Sequence, residues 1–220
     1  MPSPSSNYPW LRRWRPISSD IISSKNPYKI DNSGYVVGTE WGPGLVAKPL
    51  GVTLDQLGQD LMFAVLLGEP GIGKTNEWKK LRDALKGLPE HLFIDLGSFT
   101  TEDILYREIV GSSEIEGWLK NDFILTLWLD SLDEGMLHIS KLQEGILRIL
   151  RKLPIERLRL RITCRNAVWP VTFFEALQNL WILPKETSLQ QSALLLLSPL
   201  TQQQVKEAAE QEGFNVDKFL

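Results

Sequence analysis

Apolar and polar positions follow two different periods from about residue 54 onward. Short runs of mostly apolar residues, typical of buried strands, occupy residues 61–67, 91–95, 123–129, 158–163 and 193–197. Segments with the 3.6-residue period of amphipathic helices lie between them, among them residues 74–86, 139–153 and 201–213. This alternation predicts an α/β fold, a three-layer sandwich built on a five-stranded, mainly parallel sheet.

Capping residues indicate where several helices begin. Residues 100–101 are threonines that precede two acids, Ser113 is followed three positions later by Glu116, and Thr201 is followed by Gln204. A hydroxyl paired with Glu or Gln at this spacing satisfies free amides at a helix start. We therefore predict two helices between the second and third strands and one at the end of the chain.

The first fifty-odd residues differ from the rest. They are rich in Ser, Pro, Gly, Asn and aromatic residues and show no sustained helical period. We expect an irregular N-terminal arm over residues 1–53, one folded domain over residues 54–213, and the start of a truncated C-terminal region over residues 214–220. A composition of 43% hydrophobic and 23% charged residues is typical of a globular protein.

Composition excludes several classes of function. The single cysteine, Cys164, cannot form an intrachain disulfide, and two histidines are too few for a classical zinc site. No apolar run approaches the ~20 residues of a membrane span, and the N-terminus lacks the order of a secretory signal. We expect a cytoplasmic protein without membrane contact. Its net charge of −3 gives no overall attraction to nucleic acid.

The arm is nevertheless basic. Its positive residues are Arg12, Arg13, Arg15, Lys25 and Lys29. Such a cluster suits phosphate, but no recognition motif accompanies it, and a solvated face or a contact with the acidic body is the commoner use. Nucleic-acid binding by the arm is therefore unsupported.

A glycine-rich motif follows the first strand of the domain. Its sequence, GEPGIGKT, comprises Gly68, Glu69, Pro70, Gly71, Ile72, Gly73, Lys74 and Thr75. Glycines let backbone amides surround a phosphate, and the following helix N-terminus adds positive potential. By this pattern Lys74 reaches the β- and γ-phosphates of a nucleotide and the Thr75 hydroxyl binds Mg²⁺. We therefore predict binding of ATP or GTP with Mg²⁺.

Acidic and basic residues follow two later strands. Asp130 ends the apolar run 125–129, where we expect it to hold Mg²⁺. Asp133 and Glu134 follow within one turn, and we assign one of them to orient or deprotonate an attacking water. Arg165 follows the fourth strand, at the edge where open α/β sheets bind ligands, and is a candidate to contact the γ-phosphate.

These motifs resemble those of the NACHT-type branch of the STAND nucleotide-binding proteins. GEPGIGKT resembles the Walker A motif of that family, LTLWLDSLDEG (residues 125–135) its Walker B motif, and ITCR (residues 162–165) its sensor segment. LSPLTQQQV (residues 197–205) resembles the stretch that leads into the family's helical domain. The resemblance covers residues 54–213. It places the chain in the P-loop NTPase class that has an extra strand between its two Walker motifs.

The resemblance implies a slowly hydrolysing, ATP- or GTP-driven switch. Family members serve signalling, cell death and prokaryotic antiviral defence, and they self-associate after nucleotide exchange. The family's helical and winged-helix domains have no counterpart here, so we expect either a fragment or a minimal protein whose partner supplies them. Base selection is expected in residues 36–50, just upstream of the phosphate motif.

Three other functions fit parts of the pattern. An AAA+-like ATPase motor would use Thr163 as its first sensor, although no second-sensor arginine is evident. The glycine-rich motif would also suit a small-molecule kinase, but that function leaves the acids within residues 130–134 unexplained. A non-catalytic interaction module would use the eight tryptophans as a partner surface. We expect most of those tryptophans, including Trp78, Trp118 and Trp128, to lie in the core instead.

Overall fold

The computed structural model describes residues 12–16, 29–30, 36–37, 53–54, 57, 61–181, 192–211 and 213. Within the basic arm, Lys25 lies outside the described residues. So do most of the segment expected to select the base, residues 38–50, and the C-terminal region 214–220.

The fold is built on a parallel sheet. Its described strands are β1 (Trp14–Pro16), β2 (Lys29–Ile30), β3 (Val36–Val37), β4 (Phe63–Leu67), β5 (His91–Asp95), β6 (Leu125–Asp130), β7 (Leu158–Cys164) and β8 (Ser192–Leu197). Six of them form one sheet in the order β1-β8-β4-β7-β6-β5, while β2 and β3 form a separate antiparallel pair. The five strands from β8 to β5 are mutually parallel, which confirms the predicted α/β class.

The sheet order also contains the extra strand that the motif resemblance implies between the strands of the two Walker-like motifs. Strand β7 lies between β4, which leads into the glycine-rich motif, and β6, which ends at Asp130. Because the strands are parallel, their carboxyl ends meet at one edge of the sheet. The motifs that follow β4, β6 and β7 are therefore brought together.

The arm contributes an edge strand that the sequence did not predict. Strand β1 pairs antiparallel with β8, Trp14 lying opposite Leu197 and Pro16 opposite Leu195. A proline lacks a backbone donor and is tolerated on an edge strand. The arm is thus not irregular throughout, since residues 14–16 extend the sheet.

Seven α-helices are assigned in the described parts of the chain. They are α1 (Lys74–Ala84), α2 (Glu102–Val110), α3 (Ser113–Lys120), α4 (Leu132–His138), α5 (Leu142–Leu150), α6 (Val171–Leu180) and α7 (Gln202–Gln211). The predicted Thr201–Gln204 cap is confirmed, because the Thr201 hydroxyl accepts from the Gln204 amide at 3.2 Å and Gln204 Oε1 accepts from the Thr201 amide at 2.9 Å. The cap predicted at Ser113 is wrong by one residue: Ser112 accepts from the Ile115 amide at 3.1 Å.

Strand β4 separates two apolar clusters. Phe63, Val65 and Leu67 join the larger cluster, which the buried sides of α2, α3, α5 and α6 complete. Ala64 and Leu66 face the smaller cluster, where Trp78 of α1 and Trp14 of β1 are buried. Side chains that alternate between two covered faces explain why β4 is apolar at every position. The sheet therefore forms the middle layer of a three-layer sandwich.

The tryptophans expected in the core are buried. Trp118 is fully buried and donates its indole N–H to the Phe123 carbonyl at 2.9 Å. Trp128 donates to His91 Nδ1 at 3.3 Å and stacks on Phe93. These residues stabilise the fold and do not form an exposed aromatic patch.

Within the described residues, no helix is both long and apolar enough to cross a membrane.

Candidate functional site

The glycine-rich motif forms a tight loop between β4 and α1. Gly71 has φ of +73° and Gly73 has φ of +105°, backbone conformations that residues with a Cβ rarely adopt. Gly73 is the N-cap of α1, so the first free amides of the helix follow it directly. Two glycines in left-handed conformations thus turn the chain so that the helix N-terminus opens toward the sheet edge, as an anion site requires.

Lys74 is held by the loop itself. Its ammonium donates to the Gly68 carbonyl at 2.6 Å and to the Glu69 carbonyl at 3.0 Å. Partial burial lowers the pKa of Lys74, while the nearby Asp133 carboxylate acts in the opposite direction. The lysine therefore lies against the glycine-rich loop of residues 68–75, the candidate phosphate loop. An anionic ligand there would compete with the two carbonyls for the protons of Lys74.

Asp130 lies at the carboxyl end of β6 and is 3% exposed. The Thr163 hydroxyl of β7 donates to Asp130 Oδ1, and the Ser131 amide donates to Thr163 Oγ1 at 2.9 Å. Burial raises the pKa of Asp130, which the Thr163 bond opposes and the neighbouring Asp95 carboxylate reinforces. Ser131 has φ of +58°, which turns the chain sharply into α4.

Arg165 joins the two acids of α4. Its Nε lies 2.8 Å from Asp133 Oδ2, its backbone amide donates to Asp133 Oδ1 at 3.2 Å, and its terminal Nη2 lies 3.6 Å from Glu134 Oε1. The Asp133 side chain is 9% exposed, whereas that of Glu134 is 52% exposed. Asp133 is therefore fixed against Arg165, and Glu134 keeps an oxygen open to solvent.

The predicted site residues surround one cavity of about 100 Å³ at the carboxyl edge of the sheet. It is lined by Pro70, Gly71, Lys74, Thr75, Asp130, Ser131, Asp133, Glu134, Thr163 and Arg165. The other four predicted loop residues, Gly68, Glu69, Ile72 and Gly73, complete the loop without lining the cavity. Residues far apart in sequence are thus brought together with the acids facing the lysine.

The oxygen atoms of the cavity suit a hard divalent cation whose coordination is completed by other oxygens, such as those of a phosphate. Thr75 and Asp130 line the same cavity and offer a hydroxyl and a carboxylate, the oxygen ligands that Mg²⁺ prefers. No cluster of three or more acids, histidines or cysteines able to hold a metal occurs in the described part of the chain. A magnesium ion held by Thr75 and Asp130 would complete its coordination with water and with oxygens of a ligand.

Sequence reasoning missed three residues at or near this site. Ser131 lines the cavity, and Asn166 donates to Glu69 Oε1 at 2.6 Å. Arg12 is 9% exposed, and its Nη2 donates to the Ser198 carbonyl at 2.8 Å. Asn166 could have been identified from the sequence, because it directly follows Arg165 at the carboxyl end of a strand, where open α/β sheets bind ligands. No local signal identified Arg12, whose partner lies 186 positions away.

Of the two uses expected for the basic arm, a solvated face or a contact with the body, the burial of Arg12 favours the contact. Its Nη1 lies 3.6 Å from where a Cβ on Gly73 would stand, so the guanidinium packs beside the phosphate loop. Burial lowers the pKa of Arg12, and the Glu77 carboxylate of α1 opposes this shift. Cys164 is also buried, and burial raises the pKa of its thiol to about 12.

Comparisons with known proteins give structural likeness alone. No protein-family model matches the chain, and no curated protein matches it. Among solved structures, Cdc6p from Pyrobaculum aerophilum is similar with a TM-score of 0.43 and 19% identity over 67% of this chain and 42% of that chain. A Walker-type ATPase of Pyrococcus abyssi gives a TM-score of 0.41 and 14% identity over 70% of this chain and 55% of that chain. The chain thus spans about half the length of these structures.

Proposed function

We propose that this chain is a nucleotide-binding domain that binds ATP or GTP with Mg²⁺ and hydrolyses it slowly. One observation carries the proposal: a single cavity brings the phosphate loop with Lys74 and Thr75 against Asp130, the α4 acids and Arg165. Each group has a complementary partner on a nucleoside triphosphate. Amides and Lys74 suit phosphate oxygens, and Thr75 with Asp130 suit the magnesium that accompanies them.

The two acids of α4 take different roles in the proposed hydrolysis. Asp133 bonds both the backbone and the side chain of Arg165, so it positions that arginine. Glu134 is more exposed and more distant from Arg165, which leaves an oxygen able to accept a proton from an attacking water. Arg165 then stabilises negative charge on the terminal phosphate as the water oxygen bonds to phosphorus and the bond from phosphorus to the bridging β–γ oxygen breaks, which releases the nucleoside diphosphate. A bound Mg²⁺ would supply further neutralisation of phosphate charge.

We further propose that the domain acts as a NACHT-like switch in signalling or defence. The support is the resemblance of its three motifs to that family, together with the ion pairs that hold Arg165 against Asp133 and Glu134. A γ-phosphate competing for Arg165 would alter this arrangement, whereas a diphosphate lacks the group to do so. Self-association, or contact with further domains, would transmit the change.

Phosphate release tests the hydrolytic role of Glu134. Mg-ATP and Mg-GTP are supplied to the wild type, to Glu134→Gln and to the matched control Glu144→Gln, whose side chain is 64% exposed on α5. The expected result is slow release by the wild type and the control, and loss of about 100-fold or more in Glu134→Gln, as removal of a general base typically gives. Equal release by Glu134→Gln and the wild type would refute this role.

A second candidate, an AAA+-like motor, is favoured by one contact. The Thr163 hydroxyl bonds Asp130 and lines the cavity, as a polar first sensor on this strand would. The motor predicts ATP-dependent hexamers and fast turnover. Sedimentation with and without Mg-ATP, alongside the phosphate-release assay, separates it from the slow switch.

A further inference from the structure

A side-chain hydrogen bond links the phosphate loop to the turn that carries Arg165. Asn166 begins the short 3₁₀ turn Asn166–Val168 that follows β7, and its Nδ2 donates to Glu69 Oε1 at 2.6 Å. The backbone carbonyl of the same Glu69 accepts from Lys74 at 3.0 Å. We call the phosphate loop one wall of the cavity, and α4 with the turn that carries Arg165 the other wall. Glu69 therefore contacts Lys74 on the first wall and the turn that carries Arg165 on the second.

The orientation of this bond follows from its chemistry. An ionised carboxylate only accepts hydrogen bonds, so Asn166 must direct its NH₂ group toward Glu69. Its Oδ1 is then buried, with no hydrogen-bond partner among the described residues. A buried acceptor left unsatisfied is uncommon in native structures and calls for a physical reason. For Asn166 that reason is the bond to Glu69.

The turn is held from two sides. On the α4 side, Asp133 bonds the backbone amide of Arg165 at 3.2 Å and its Nε at 2.8 Å. On the loop side, Glu69 bonds the next residue, Asn166. Two consecutive residues thus span the opening between the phosphate loop and α4. The backbone that carries Arg165 is therefore bonded to both sides of the cavity.

We propose that Glu69 and Asn166 form a positioning pair that makes the site prefer nucleoside triphosphates to diphosphates. The inference rests on the proposed function of the cavity. The phosphate loop binds groups common to both nucleotides, whereas Arg165, across the cavity, is reached by the third phosphate. A fixed distance between the two walls therefore stabilises triphosphate binding selectively.

The test uses a charge exchange within the pair. Asn166→Asp places a second carboxylate against Glu69 and separates the walls by repulsion, whereas Glu69→Gln/Asn166→Asp restores one donor facing one carboxylate. The control is Gln203→Glu, which makes the same change of charge in a matched bond, since Gln203 donates to Glu207 on α7 at 2.9 Å. Dissociation constants for Mg-ATP and Mg-ADP are measured by calorimetry, and melting temperatures confirm folding.

Asn166→Asp is expected to weaken Mg-ATP binding about fivefold to tenfold, the scale of one net hydrogen bond, and to leave Mg-ADP binding within about twofold. The double variant should recover the triphosphate preference, and the control should keep it. If Asn166→Asp fails to fold, Glu69→Ala removes the same bond from its more exposed partner, with the same loss of preference expected.

Two results would overturn the inference: equal weakening of both nucleotides, or a double variant that does not recover the preference. Failure of the wild type to bind either nucleotide would instead refute the proposed function, and the inference with it. The wild-type titration therefore distinguishes the two failures.

Discussion

Gly73 shows how one backbone conformation shapes the phosphate loop. At φ of +105° an alanine is strained whatever space surrounds it. Gly73→Ala is expected to lower the free energy of unfolding by about 1 to 3 kcal/mol. The matched control is Gly117→Ala in α3, where a Cβ meets nothing within 4 Å. The control should stabilise the protein by about 0.5 to 1 kcal/mol through helix propensity. Denaturant unfolding measures both, and a neutral Gly73→Ala would contradict the strained geometry.

The buried Asp130 carboxyl makes stability depend on pH in a defined direction. Burial raises its pKa in the folded state above the ordinary 3.8, so the folded protein binds this proton more tightly than the unfolded chain does. Ionisation therefore costs stability as pH rises from 3.8 through the raised pKa. Asn at this position keeps an acceptor for Thr163 without the charge. We expect Asp130→Asn to raise the melting temperature of the ligand-free protein, by a margin that grows with pH over that window.

The control for this prediction is Asp122→Asn, whose carboxylate is fully exposed. Its melting temperature should follow that of the wild type at every pH. A margin for Asp130→Asn that stays constant or shrinks as pH rises would contradict the burial argument. The same substitution should weaken Mg²⁺-dependent nucleotide binding, which a purely structural Asp130 would not require.

Substitutions in the edge strand β1 measure how much the arm contributes to the stability of the fold. Trp14 is fully buried against Leu66, Trp78 and the strand β8 residue Leu195. Trp14→Ala is expected to cost about 3 to 5 kcal/mol of unfolding free energy, as for other buried aromatic truncations. The control Leu137→Ala removes a side chain that is 81% exposed and should change stability by less than about 0.5 kcal/mol.

Trp14→Phe refines this prediction. The indole N–H of Trp14 is buried and has no hydrogen-bond partner in the described part of the chain. Phe keeps much of the apolar contact and removes this unsatisfied donor, so its cost should be well below that of Ala. Equal losses for the two variants would show that the N–H contributes a contact of its own.

Elements with a strong local period were predictable from sequence. The five parallel strands and the helix after the phosphate loop follow from apolar runs, glycines and caps that lie within a few residues of one another. Helices α4 and α6 were not predicted as such. The seven-residue α4 carries the site acids in its first turn, and α6 lies where the sequence pattern predicts no element.

Contacts distant in sequence were beyond sequence reasoning. Strand β1 needs the edge of β8 to form, and the Arg12 and Asn166 bonds join residues 186 and 97 positions apart. No local pattern encodes such pairs. The candidate site was largely predictable because the topology of a parallel sheet places the ends of β4, β6 and β7 at one edge.

The whole molecule combines these features into one candidate site. A sheet covered on both faces holds the phosphate loop, the acids and Arg165 around a cavity of about 100 Å³. Arg12, buried beside the loop, connects the arm to the end of β8. The proposed function therefore depends on one central claim: this cavity binds the phosphates of a magnesium nucleotide through Lys74.

Calorimetric titration with Mg-ATP and Mg-GTP tests that claim most directly, using the wild type, Lys74→Ala and the control Lys79→Ala. Lys79 is exposed on the same helix and does not line the cavity. We expect binding by the wild type and the control, and affinity lower by about tenfold or more in Lys74→Ala, the scale of a lost charge-assisted phosphate contact. Equal affinity in Lys74→Ala, or no binding by the wild type, would contradict the claim.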